Sequence, residues 1–572
     1  MANTKVTKAV LADDAVGLAQ LDISNDPSNG QALTYVETSS DLQWATISSA
    51  SSLNDLSDVK TFGTSSIMIG DTTTGTIDAA NYNTGVGVDV FASLTSGDLN
   101  TAFGYQALSG NTTGGTQTAI GSRTLVNSTG NDNTAVGDYS QNSTTTGGQN
   151  VSVGKQSLSS NTTASNNTAI GHSAMHLNTT GGSNVAVGSL SLDANTTGVS
   201  NTAVGKGSLS AATTASSNTA MGANALNACT TGATNTAIGS GAGESITTGQ
   251  RNVFVGIEAG ATMTTGQENC YVGRLAGKLA TSGYSTGVGT EALYNNTGNH
   301  NTAVGIQALM ANTSGADNTA VGGGALDANT TASRNTAVGR SCLGSSSTTS
   351  DNTAMGWNAG SSVTTGDMNV IIGRSAGDAL TTGGNNVIIG GQAGDDITVG
   401  GQNVIIGKLC DGGGTGSAYR TIIGYGLDGH TNDATLLGRG SNDSQLVHGA
   451  DTWTQPSDVR LKEEINDEQI GLDFINELRP VTYRWKKGKD VPQEMKAYED
   501  TEDRIMNGKY NHGFIAQEVK EVMDKYDFKD GCDLWSEDDI DGRQRLGKSA
   551  LIPMLVKAIQ ELSEEVKQLK GE

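Results

Sequence analysis

A glycine returns every 17 residues through most of this chain, and that period limits its fold more than any other feature. The glycine closes a pattern of polar, Thr, Ala, aliphatic and Gly. Examples are NTAFG at 100–104, NTAVG at 133–137, NTAIG at 167–171, NTAVG at 201–205 and NVIIG at 386–390. The closing glycines run from Gly70 to Gly424, 22 in all; of the 21 steps between them 18 are 17 residues and three are 16. So strict a period implies a stack of near-identical coils. Thr, Val and Ile favour strands, and the intervening Asn-Thr-Thr-Gly runs are turn chemistry. A helical-hairpin repeat needs over ~30 residues, so the unit is too short for one. One coil has too little apolar surface to fold alone and must draw its core from its neighbours. The expected body is a β-solenoid or an interwoven β-helix.

Four residues before the closing glycine, 18 of the 22 positions are Asn, including Asn201, Asn218, Asn235 and Asn252. Stacking would set these amides in a column about 4.8 Å apart, able to hydrogen-bond along the axis. The glycine itself marks a site of positive φ or a close approach of backbones. The Asn-x-Thr triplets also match glycosylation acceptors, an incidental match in a chain without a secretion signal.

Composition narrows the function classes. The 572 residues include 78 Gly but only 5 Pro, which fits neither collagen nor a Pro-rich linker. A formal charge of −24 and a pI near 4.6 argue against holding phosphate backbones, so no nucleic-acid partner is expected. The five cysteines are far apart, with no Cys-x-x-Cys pair, and suit reduced thiols rather than a disulfide framework or zinc site. His172 and His176 have a helical ligand spacing but sit in a β-repeat, so no metal or other cofactor is expected. The first residues lack the apolar run of a signal peptide, and no stretch approaches the ~18 apolar residues of a membrane span. The expectation is a soluble protein made in the cytoplasm without Sec-type export or membrane insertion.

Charge and proline change together near residue 456. Residues 457–572 carry 19 Lys/Arg and 27 Asp/Glu, half of all charged residues, and four of the five prolines fall at or after Pro456. We therefore divide the chain into an N-terminal region (1–64), a repeat body (65–425), a tip or linker (426–456) and a charged C-terminal domain (457–572).

Two resemblances follow from these motifs. The Ala-(Val/Ile)-Gly units resemble the head repeats of trimeric autotransporter adhesins, a parallel β-roll of three chains, although about 17 residues per unit departs from that family. In the charged domain, Ser457-Asp458-Val459-Arg460-Leu461-Lys462 opens an ordered series. It continues through Leu478-Arg479-Pro480-Val481-Thr482-Tyr483-Arg484-Trp485 and His512-Gly513-Phe514-Ile515-Ala516-Gln517-Glu518-Val519. The series resembles the endosialidase-type intramolecular chaperone at the ends of phage tail fibres and tailspikes. That resemblance implies a small α+β domain that drives trimerisation of a β-helical fibre and then cuts itself off.

It also implies a single-turnover cut between Ser457 and Asp458, with Ser457 and Lys462 as the reacting pair and Arg460 orienting or pairing. A Lys made neutral by burial can take a proton from a serine hydroxyl, so the chemistry is sound. Attack by Ser457 Oγ on its own carbonyl would close a four-membered ring. Attack from a neighbouring chain and a water activated near Lys462 both avoid it, and the sequence does not choose between them.

The last segment carries Ile552, Leu555, Ile559, Leu562, Val566 and Leu569 at 3-4-3-4-3 spacing. That stripe suits a short coiled coil or a helix packed on its own domain. Near the N-terminus, Asn29–Tyr35 and Leu42–Ile47 look like the β-hairpin modules at the attachment ends of phage fibres. Tyr419, Tyr425 and Trp453, with His430 and His448 nearby, are candidate receptor contacts in a chain poor in aromatics, or the packing of a solenoid cap. The combined expectation is a virion tail fibre assembled as a homotrimer in the host cytoplasm. It would bind tail or baseplate proteins through residues 1–64 and a host-surface glycan or outer-membrane component elsewhere. The alternatives are a tailspike whose body degrades glycans, which requires paired carboxylates the sequence does not single out, and a surface adhesin outside the phages.

Overall fold

The computed structural model describes residues 31–36, 41–46, 59–62, 65–70 and 79–571, apart from 430, 451, 507, 527, 529–531 and 539–541. Most of the N-terminal region, and His430, lie outside the described residues. Within that region β1 (Gln31–Val36) and β2 (Asp41–Thr46) pair antiparallel, with Leu33 opposite Trp44. Contacts divide the chain into two units, Met1–Pro456 and Ser457–Glu572.

The first unit is a β-solenoid. It starts with an antiparallel pair, β3 (Val59–Phe62) and β4 (Ser66–Ile69). From β4 to β25 (Thr421–Tyr425) one strand per coil stacks in parallel through 21 turns. Equivalent residues meet, Thr202 with Thr219 and Ala203 with Ala220. β26 (Ala434–Arg439) continues the parallel ladder and β27 (Asn442–Val447) folds back antiparallel to end it. Among the described residues no pairing joins β3 to β27, so the strands form an open stack and not a barrel.

Most strands are three residues long, and only the middle residue points inward. Ala169, Ala186 and Ala203 are wholly buried there, facing Leu158, Leu192 and Leu209 from four residues after a closing glycine. Small and large residues exchange places between coils. Where the strand centre grows to Phe254, Tyr271, Ile371 or Ile388, the Leu position becomes Gly260, Gly277, Gly377 or Gly394. A Cβ on Gly260 would lie 2.4 Å from the Phe254 ring, which itself stacks on Tyr271 at 6.0 Å. A Cβ on Gly243, one coil earlier, would lie 2.7 Å from the same Phe254 ring, so one large side chain fills the space left by two glycines, as a close-packed core requires.

The closing glycine meets both conditions that the sequence implies. Gly154 has φ of 137°, and a Cβ there would sit 2.4 Å from the carbonyl oxygen of Gly171 in the next coil. The rest of the turn also uses left-handed backbone at residues that are not glycine. In the Gly154 coil these are Gln156, Leu158 and Asn166, with φ of 58°, 53° and 62°. Each costs roughly 1–2 kcal/mol in isolation. Backbone hydrogen bonds to neighbouring coils offset that cost: Gln156 N–H donates to Asp138 O at 2.9 Å and Leu158 N–H to Ala174 O at 2.9 Å. The conformation is therefore a property of the stack, since a lone coil has no such acceptors.

The Asn column is bonded along the axis, with the backbone taking a larger share than the amide spacing suggests. Asn235 Oδ1 accepts the backbone N–H of Asn252 at 3.0 Å and its Nδ2 at 3.1 Å, while Asn235 Nδ2 donates to Gly249 O at 2.9 Å. A second buried column, seven residues after the closing glycine, includes Asn161, Asn178 and Asn195; Asn195 Nδ2 donates to Asn178 Oδ1 at 2.7 Å. Asn235→Ala removes one acceptor and one donor and leaves the buried Asn252 N–H unpaired. It should cost about 2–4 kcal/mol locally. Hydrogen exchange should accelerate in the coils flanking residue 235, and unchanged protection there would refute a structural role for the column.

The second unit packs around Phe474, Leu478, Val519, Val522, Met523, Leu534, Leu551 and Met554. Its elements are α1 (Leu472–Glu477), the antiparallel pair β28 (Val481–Tyr483) and β29 (Asn511–Gly513), and α2 (Ala516–Met523). A second pair, β30 (Trp535–Glu537) and β31 (Gln544–Leu546), precedes the long α3 (Leu551–Lys570). Gly571, at φ of 71°, ends α3 in a left-handed cap. Glu561 on α3 accepts the Leu472 backbone N–H at 2.7 Å and so caps α1 from across the domain. α3 has two apolar faces. Leu551, Met554 and Ala558 are buried in the domain, whereas the whole 3-4-3-4-3 stripe from Ile552 to Leu569 is exposed. Among the described residues no helix is long and apolar enough to cross a membrane.

Candidate functional site

The second unit begins at Ser457, and a single turn of 3₁₀ helix over Val459–Leu461 follows it. Asp458 caps that turn, its Oδ1 accepting the Arg460 backbone N–H at 2.9 Å. The same carboxylate accepts Arg460 Nε at 3.0 Å, folding the guanidinium back onto Asp458. The Arg460 side chain and then its backbone N–H hold the Asp458 carboxyl below its ordinary range. Leu461 N–H donates to Asp458 O and Lys462 N–H to Val459 O, which closes the turn. The consequence is a reversal of direction: Lys462 Nζ reaches back and donates to Ser457 Oγ at 2.7 Å.

Four motif residues thus divide into two pairs, Ser457 with Lys462 and Asp458 with Arg460. The second pair fixes the turn that creates the first. All of this lies at the surface; Ser457 and Lys462 are both exposed. The single chain therefore supplies none of the burial that would favour a neutral lysine amine.

Residues 457–527 match the family model described as the chaperone of endosialidase, a peptidase family. The match starts at the serine of the pair and covers the elements through α2. No curated protein and no solved structure matches the chain. The endosialidase-type chaperone segment and the solenoid of about 17-residue repeats together fit a phage tail fibre with a C-terminal chaperone.

The three candidate receptor residues are exposed. Tyr419 precedes β25, Tyr425 ends it beneath the Arg439 guanidinium at 5.6 Å, and Trp453 follows β27 beside the Gln445–Thr454 bridge. Among the described residues no ring contact joins them. His448 bonds Thr435 at 3.1 Å, and His176 bonds Ser159 at 2.8 Å.

An acidic group in the last coils was not legible from motifs. Asp411 lies against Asp395 and Asp396, and burial, a hydrogen bond that protonated Asp411 donates to Asp395 and the neighbouring charges push its carboxyl up to about 8. Carboxyl groups in hydrogen-bond contact are closer than the ~5–9.5 Å that glycosidase pairs need, so this group is a proton-sharing contact and not a hydrolytic dyad. Aligning the coils would have revealed it, because Asp378 and Asp395 occupy the same position in successive coils. With an unfolded value near 3.9, the stability from protonated Asp411 is fully present below about pH 4 and lost as pH rises through about 8. The urea midpoint of the solenoid should therefore fall between pH 5 and pH 9, and fall less in Asp411→Asn. Equal falls in the two proteins would exclude Asp411 as the cause.

Proposed function

We propose that this chain is a phage tail-fibre protein, a homotrimer whose C-terminal domain assists assembly and then separates by cutting the Ser457–Asp458 bond. The supporting observation is the Ser457–Lys462 contact, which stands at the first residues both of the second unit and of the chaperone-family match. The exposed α3 stripe supports association through the C-terminal domain, since six apolar side chains at heptad spacing face solvent in one chain. Where association also covers the Ser457–Lys462 pair, burial by neighbouring copies would favour the neutral amine that proton transfer needs. Cutting would then follow assembly.

In this reading residues 1–64 attach to the virion tail or baseplate, and the mature solenoid presents a host receptor surface to which Tyr419, Tyr425 and Trp453 contribute. Assembly takes place in the host cytoplasm. The test is the composition of the virion. Mass spectrometry of purified particles should find this chain ending at Ser457, with no residues from 458–572. Particles lacking the chain, or lysates in which it occurs only apart from particles, would exclude a fibre.

A further inference from the structure

Each solenoid strand turns two residues outward, three and one before the closing glycine. The second of these columns holds Ile69, Val86, Phe103, Ile120 and Val136 in its first five coils, and it continues to Ile406 and Ile423. All 22 members are Val, Ile, Met or Phe. None is buried, and Phe103, Met221, Met355 and Ile423 are among the most exposed. The first column is Thr or Val in nearly every coil, with Ile67 and Cys270 as the variations. Neither column contains a charged residue in any coil.

Other outward columns differ. Five residues before the closing glycine stand Arg251, Glu268, His300, Asp317, Arg334 and Asp351 among polar residues, and several pair between coils, as Arg334 with Asp351 at 2.7 Å. The charge-free face is therefore specific to the strand and not a general property of the surface.

An exposed parallel sheet face is unusual, because parallel sheets are normally covered on both sides. Eleven of the 22 are 37–56% exposed and the other eleven half-buried, so the apolar column presents on the order of 1,000 Å² per chain. A standard interface takes only ~800 Å² from each partner, and a typical monomer's largest apolar patch is about 300–600 Å². We infer that this strand face is the surface along which further copies of the same chain pack, running parallel and in register. The occupant must offer an uncharged apolar strip of the same length and repeat, and a second copy of this chain does so. Parallel direction sets each coil beside its own counterpart, so the larger members Phe103, Met221 and Met355 meet at one height. The inference rests on the fibre reading for the assembly's purpose, and on this surface alone for where the copies touch.

A closed parallel arrangement brings same-numbered residues of the strand face towards the axis. Cys270, half-exposed in the first column, is then a built-in reporter; Cys229, Cys342 and Cys410 are buried, and Cys532 lies in the other unit. The full-length Cys532→Ser protein, treated with a short bis-maleimide, should give a covalent dimer that disappears when Cys270→Ser is added. Independently, Val204→Lys, Met221→Lys and Ile238→Lys together should convert the assembly into folded monomers by sedimentation, with the β circular-dichroism signal retained. The matched triple Ser200→Lys, Ser217→Lys and Thr234→Lys, on the polar column, should leave the assembly intact. If the triple at 204, 221 and 238 fails to fold, the Cys270 cross-link decides. An assembled wild type with no Cys270-dependent cross-link would overturn the interface while leaving the trimer reading in place, and a monomeric wild type would overturn both. A Cys270 cross-link in a protein absent from virions would keep the interface and remove the fibre reading.

Discussion

Purified wild-type protein is expected to run on a denaturing gel as two pieces, residues 1–457 and a fragment of 115 residues. Hydrolysis of the Ser457–Asp458 bond consumes one water and leaves a carboxylate on Ser457 and an amine on Asp458. Ser457→Ala removes the hydroxyl that Lys462 contacts at 2.7 Å and touches nothing in the domain core, so the variant should stay full length and still assemble. Lys462→Ala should slow cutting by about 10²–10⁴-fold if the amine moves the proton. Lys462→Arg separates charge from base function, because a guanidinium keeps the positive charge but does not deprotonate. It should be as slow as the alanine variant. Asp458→Asn weakens the contact that folds Arg460 back and caps the turn, so its effect should be smaller and should come through the position of Lys462.

The end groups carry the mechanistic content of this experiment. A small fragment beginning with Asp458 fits attack by a neighbouring chain's hydroxyl or by water. One beginning with Ser457 would mean that Oγ had attacked the Pro456 carbonyl through a five-membered ring, and the assigned bond would be wrong. Equal cutting in wild type, Ser457→Ala and Lys462→Ala would point to a contaminating protease and remove the Ser/Lys assignment.

The repeat and its strands were readable because the period is long, strict and written in turn and strand residues; Gly154 and Asn235 do what their positions imply. The left-handed backbone at Gln156, Leu158 and Asn166 was not readable. Local propensity opposes it, and the compensating acceptors, such as Asp138 O and Ala174 O, belong to other coils. The trade of Leu for Gly against Ala for Phe needed the inward direction of both positions before its volume logic appeared. At the C-terminus the order of motifs located the Ser457–Lys462 pair. Its five-residue spacing alone did not imply contact, because that depends on the turn capped by Asp458. The α3 stripe was readable as heptads. That the helix buries a different face, through Leu551, Met554 and Ala558, depends on α1 and lies beyond the helix's own sequence.

A chain ending at Pro456 should fail to form the native assembly, and near-repetition along the solenoid gives the reason. Each coil offers a neighbouring copy almost the same outward pair, Thr or Val with Val or Ile, so sliding one copy by a coil sacrifices little contact. With 21 turns, the penalty for a one-coil slip is a small fraction of the whole interface, and many registers compete. Bringing the strands of separate chains together also costs entropy before stacking rewards it. A domain that associates first, through the exposed α3 stripe, would fix both stoichiometry and register at one end. The stack could then grow from there. Without residues 457–572, sedimentation should show monomers or polydisperse aggregates instead of one species, although circular dichroism still reports β structure. Restoring the domain with Ser457→Ala should recover a single species, because association and not cutting sets the register. Homogeneous assembly of residues 1–456 at the same rate as the full chain would show that the body chooses its own register, and the chaperone would then have no role in assembly.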